Sequence, residues 1–158
     1  MIEKFRELVK KKNRIFANLE LIQWDLETKT PIKSKPYLAE LVGELSMQEY
    51  DLFTSDEFVN LVETLNKEKN NLSEIEKKEI ELSMEEIEKK KKIPADEYEA
   101  YAKLTSINQG IWEEAKAKND FSIVKDNLEK IFNYNKKFAE YRRKDEKNLY
   151  DVLLNDYE

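Results

Sequence analysis

The chain has 158 residues, of which 40% are hydrophobic and 39% charged, with 2 Gly, 3 Pro, no Cys and no His. Such a length buries one real core rather than two, and so few turn-forming residues favour helices over strands. A formal charge of −6 opposes nucleic acid and anionic membranes in general. The missing thiols exclude disulfides, and the missing imidazoles exclude Ser-His and Cys-His catalysis, an H-E-x-x-H zinc site and a Glu-x-x-His di-iron motif.

Residues 2–26 place Ile2, Phe5, Leu8, Ile15, Leu19, Ile22 and Leu26 at three-, four- and seven-residue intervals, with Lys10, Lys11, Lys12 and Arg14 between them. This spacing predicts one long amphipathic helix. Thr30-Pro31 interrupts it, because proline lacks a donor and holds its predecessor extended, so residues 28–35 are expected to be a connection. A second helix is predicted from Pro36, which suits a first turn, to about Asp51, with Leu38, Leu41, Val42 and Leu45 facing inward.

Thr54-Ser55-Asp56-Glu57 has the form of a capping box, with Thr54 as the cap. It predicts a third helix bearing Phe58, Leu61, Val62 and Leu65. Asn70-Asn71 ends that element, and Ser73-Glu74-Ile75-Glu76 repeats the capping pattern for a fourth helix reaching about Lys92, with Ile75, Ile80, Met84 and Ile87 inside. Pro94 opens a fifth, with Asp96 and Glu97 at the positive end of its dipole and Tyr98, Tyr101, Leu104, Ile111 and Trp112 along its stripe. Asn119-Asp120 closes it and caps a sixth helix carrying Phe121, Val124, Leu128, Ile131 and Phe138. Leu149–Leu154 is expected to form a short last helix.

The expected fold is therefore all-α: about six mostly antiparallel amphipathic helices in hairpins, a helical bundle or layer, with 1–158 as a single helical domain. Regular apolar spacing and 11% aromatics argue against disorder. The amino terminus lacks the apolar core of a signal peptide and no stretch approaches a membrane span, which makes a soluble cytoplasmic protein the expectation.

Four segments in order then suggest a family: Trp24-Asp25-Leu26-Glu27-Thr28 with Pro31 after it, Ile93-Pro94-Ala95, Asn119-Asp120-Phe121, and Tyr150-Asp151-Val152-Leu153-Leu154-Asn155-Asp156-Tyr157-Glu158. Together they resemble the amino-terminal region of the carboxypeptidase Taq family, with its W-D-x-E-T and proline, V-P-A-like helix start, N-D-F and Y-D-x-L-L-x-x-Y-E. The resemblance covers essentially the whole chain. It implies a largely helical, cytoplasmic, commonly dimeric zinc enzyme that removes residues from peptide carboxyl ends, its metal held by H-E-x-x-H and a downstream Glu. No position here matches that motif, which in the family lies beyond the segment resembled. The expectation is thus a non-catalytic amino-terminal portion, inactive alone, with no catalytic, cofactor or metal residue. It would act as scaffold and one wall of the peptide groove, and pair with the carboxy-terminal remainder or with itself through apolar helix faces. An independent helical interaction module is the alternative.

Other residue groups admit sharper readings that weigh less than plain ones. Asp25 and Glu27 beside Trp24 could form an acid–base pair, but capping or solvated carboxylates are the commoner case, and Asp145-Glu146 and Asp156 with Glu158 read the same way. Glu79, Glu81, Glu85, Glu86 and Glu88 lack the loop of a calcium site. Lys89-Lys90-Lys91-Lys92 reads as a solvated helix end complementing the dipole. Tyr98, Tyr101, Tyr134 and Tyr141 read as core or its rim rather than a peptide surface. Gly110 is expected to allow close approach of another helix.

Overall fold

The computed structural model describes residues 1–157; Glu158 lies outside the described residues. Among the described residues it contains seven α-helices and no strand: α1 Ile2–Thr28, α2 Lys35–Thr54, α3 Asp56–Lys67, α4 Glu74–Lys91, α5 Ala95–Lys118, α6 Ser122–Arg142 and α7 Leu149–Leu154. Short 3-10 turns at Ile32–Ser34 and Lys69–Asn71 fill the two connections marked by Pro31 and by Asn70-Asn71. The all-α expectation holds, and helix ends fall within a few residues of the predicted ones.

The core joins α1, α2, α3 and α4. Phe5, Phe53, Phe58, Val62, Leu65 and Ile80 are buried together there. Phe58 stacks on Phe5 with ring centroids 6.1 Å apart and tilts against Phe53 at 4.6 Å. α5 and α6 extend the body from α2. Lys35 near the start of α2 pairs with Glu113, Gly43 lies against Lys103, and Tyr50 packs on Tyr98. Rising numbers on α2 thus meet falling numbers on α5, an antiparallel pair. α5 and α6 run antiparallel in turn, since Tyr101 hydrogen-bonds Asn135 while Glu97 pairs with Lys137.

The inner face of α2 is not the predicted one. Leu38, Leu41, Val42 and Leu45 are only half-buried, and the buried residues are Ala39, Gly43, Ser46, Glu49, Tyr50 and Phe53. α2 is surrounded by α1, α3, α4 and α5, so no single stripe serves it, and the close approach of α5 selects small side chains. A Cβ on Gly43 would stand 2.6 Å from Lys103 Cε, a separation real contacts do not tolerate without displacement of the lysine stem. Gly43 therefore supplies the close approach expected of Gly110, whose own added Cβ would meet only the Lys35 stem at 3.2 Å.

Local chemistry explains most helix ends. Ser73 and Glu76 form the expected capping box, with the Ser73 N–H donating to Glu76 Oε2 at 2.8 Å. Asn119 ends α5 in the left-handed region at φ 50°, which asparagine tolerates better than most residues, and Asp120 accepts from the Ser122 N–H at 2.9 Å at the entry to α6. The cap of α3 is shifted by one residue from the prediction. Ser55 accepts from the Phe58 N–H at 3.2 Å, whereas the Thr54 hydroxyl donates back to the Tyr50 carbonyl and completes α2. Extended backbone is needed at the cap, and Ser55 has it. Ser55→Ala is expected to cost about 1 kcal/mol by urea denaturation, with Thr54→Ala clearly milder; the reverse order would return the cap to Thr54.

Candidate functional site

Trp24 stands on the outer side of α1 near its carboxyl end and is 70% exposed. Asp25 and Glu27 do not form an acid–base pair. Asp25 accepts from the Thr30 hydroxyl while its carbonyl accepts from the Lys29 and Thr30 N–H groups at 3.0 Å, and Glu27 accepts from Gln23 on the same helix. These contacts tie off the end of α1. Phe16 and Leu21 of α1 are also exposed. Phe16 follows buried Phe5 by about three helical turns, so the stripe that α3 covers at the start of α1 continues past the end of its cover.

The Lys89-Lys90-Lys91-Lys92 run does end α4 with basic residues, and Lys91 is exposed as expected, but Lys90 departs from a solvated helix end. Lys90 reaches into the body to pair with Glu49, whose residue exposure is 6%. Its ammonium lies 5.6 Å from the Phe53 ring centroid and 5.5 Å from that of Tyr98, and Lys12 sits 4.5 Å from the same Phe53 centroid. Lys12 pairs with Glu86 at 2.8 Å. Lys89 donates to Asp156, which also accepts from Arg142 through both carboxylate oxygens at 2.7 and 2.8 Å. Several α4 glutamates are partners of lysines: Glu81 of Lys78, Glu86 of Lys12, and Glu88 of Lys144. A carboxylate on a helix ordinarily belongs to its polar face; the available signal at Glu49 was its four-residue offset from Leu45 and seven-residue offset from Val42, on the predicted inner face.

The four tyrosines pack rather than project. Tyr98 lies beside Tyr50, which donates to the Ile93 carbonyl at 2.6 Å. Tyr101 meets Tyr134 and Phe138 edge-on, and Tyr141 donates to Glu97 at 3.1 Å. Burial is the main cause that pushes the Tyr98 hydroxyl well above its ordinary pKa, with the Glu49 charge adding to it, and burial likewise raises Tyr50 and Tyr101. Above about pH 10 the unfolded chain releases these protons while the folded chain retains them. The stability present below that pH is therefore lost as pH rises. Urea midpoints are expected to fall as pH rises past about 10, less steeply in Tyr98→Phe.

An apolar depression lies between the start of α2 and the second half of α5. Ile32, Pro36, Ile107, Gly110, Ile111 and Ala117 line it, around a volume of about 710 Å³. Ile32 is 84% exposed and Ile107 47%. At the rim Lys35 pairs with Glu113. Sequence periodicity does not reveal this groove because its walls are some 75 residues apart in the chain and because Ile111, on the predicted stripe, is expected to face the core. Further exposed aromatics, Trp112, Phe121, Tyr150 and Tyr157, occupy the turn from α5 to α6 and the region of α7.

Zinc chemistry of the H-E-x-x-H kind needs two imidazoles, and the sequence has none. Among the described residues no group of three or more His, Cys, Asp or Glu could hold a metal ion. The donor set does not fit a catalytic zinc of that kind. Among the described residues, no helix is long and apolar enough to cross a membrane.

Comparison with known proteins gives a consistent result. Residues 4–158 match the family described as carboxypeptidase Taq (M32) metallopeptidase. Carboxypeptidase 1 of Bacillus subtilis (strain 168) is 36% identical over 156 residues, covering 99% of this chain and 31% of the relative. Thermostable carboxypeptidase 1 of Pyrococcus furiosus is 35% identical, covering 99% of this chain and 32% of the relative. The BsuCP crystal structure superposes with a TM-score of 0.93 at 37% identity, over 97% of this chain and 31% of that one. The chain thus spans about a third of the length of the curated relatives it matches.

Proposed function

Because the chain belongs to the carboxypeptidase Taq (M32) metallopeptidase family, we propose that it is the amino-terminal, non-catalytic portion of a cytoplasmic zinc carboxypeptidase, folding as a single unit and serving as scaffold and as one wall of the peptide groove. The observation that carries this reading is a pairing of coverage and composition. Nearly the whole chain matches, yet it spans only 31% of the Bacillus relative and contains no histidine to bind zinc. The zinc-dependent release of carboxy-terminal residues then depends on the other two thirds, and this portion supports it by position.

The aromatics of the family-like segments support an outward-facing role. Trp24, Phe121, Tyr150 and Tyr157 are all exposed and contribute little to packing within the chain. An apolar surface of this kind is the mark of a contact with something else. Reconstitution tests the proposal. The chain is expected to be inactive alone, and mixing it with the carboxy-terminal two thirds of the Bacillus subtilis relative is expected to restore chelator-sensitive release of the terminal residue from a peptide. Two folded pieces that neither associate nor hydrolyse would leave the independent interaction module as the better reading.

A further inference from the structure

We propose that the groove between the start of α2 and the second half of α5 is the seat of an apolar helical segment from the carboxy-terminal two thirds of the peptidase; this rests on the function proposed above. Two thirds of the length of each relative lies outside the matched region, so a large body of chain is available to cover this surface. The groove follows α5 from Ile107 to Ala117, about 15 Å at 1.5 Å per residue, the span of roughly three turns of a docked helix.

The chemistry of the occupant follows from the lining. Ile32, Pro36, Ile107 and Ile111 offer aliphatic walls, and Gly110 and Ala117 leave depth between them. The charges at the margin are already matched within the chain. Lys35 pairs with Glu113, and Glu114 pairs with Lys118 at 2.6 Å. Among the described residues lining the groove, no charge is left unpaired to recruit an opposite one, so an occupant binds by burying apolar surface and fits as an aliphatic helix face. A basic or acidic segment would lose its hydration there without a partner.

The test is co-expression of the full 158-residue chain with the carboxy-terminal two thirds of the Bacillus subtilis relative, read as the amount of co-purified complex. Ile107→Glu and Ala117→Arg alter the groove at positions with room for them in the chain alone, and Leu82→Glu alters an exposed apolar site on α4. Circular dichroism establishes that each variant folds. The expected result is a one-to-one complex with the unaltered chain, at least tenfold less with either groove variant, and little change with Leu82→Glu. Equal recovery with the two groove variants would overturn the groove assignment and leave the proposed function standing. Two soluble pieces that do not co-purify would overturn both. A dimer of the chain alone that Ile107→Glu dissolves would assign the groove to a second copy instead.

Discussion

Phe58→Ala is expected to destabilise the chain by about 3–5 kcal/mol, a large part of the stability of an ordinary domain. Phe58 is fully buried where α3 meets α1 and α2, in ring contact with Phe5 and Phe53. Truncation removes the apolar transfer term and opens a cavity between two rings that are themselves held by long helices. Neither ring can move in to fill it without loosening α1 or α2. The effect reads as a fall in the urea midpoint by far-ultraviolet circular dichroism, with Ile75→Ala as the comparison. Ile75 is exposed, and its loss is expected to change stability by less than about 0.5 kcal/mol. Equal effects would mean that the core does not centre on Phe58.

Glu49→Ala is expected to cost about 3 kcal/mol, although it removes no apolar side chain. The substitution leaves the Lys90 ammonium between the Phe53 and Tyr98 rings without its principal partner; Glu86, 3.7 Å away, offers only partial compensation. A pair of this kind is costly to halve and less costly to remove whole. The double variant Glu49→Leu with Lys90→Met is therefore expected to be clearly more stable than Glu49→Ala, so that the two sites are strongly non-additive in a double-mutant cycle. Additive losses at the two positions would show that each side chain acts through separate contacts.

Much of the fold is legible in the sequence because it is decided locally. The spacing of Phe5, Ile15 and Leu26, the box at Ser73 and Glu76, Pro94 before α5 and Asn119 after it each act within a turn or two of helix. The misplaced residues are those whose setting depends on distant helices. Ile75 fits the stripe of α4 yet projects to solvent, because α4 is not covered at that point. Ala39 and Gly43 look like filler and form the seam with α5. Ser55 rather than Thr54 caps α3 because α2 runs on through Thr54. The groove assigned to a docked helix was out of reach for the same reason: Ile32 and Ile107 become neighbours only when α2 and α5 cross, and neither carries any local mark of it.

The exposed apolar residues of α1 also govern how the chain behaves as a colloid. Phe16, Leu21 and Trp24 lie bare on a particle whose only long-range protection against collision is its charge of −6. That protection disappears near the isoelectric point of about 5.1 and is screened within roughly 10 Å at 0.1 M salt. Mild acid and moderate salt are thus the conditions under which these particles stick. Folding and solubility in this chain answer to different residues, and a charged substitution at Leu21 would improve the second while leaving the first almost untouched.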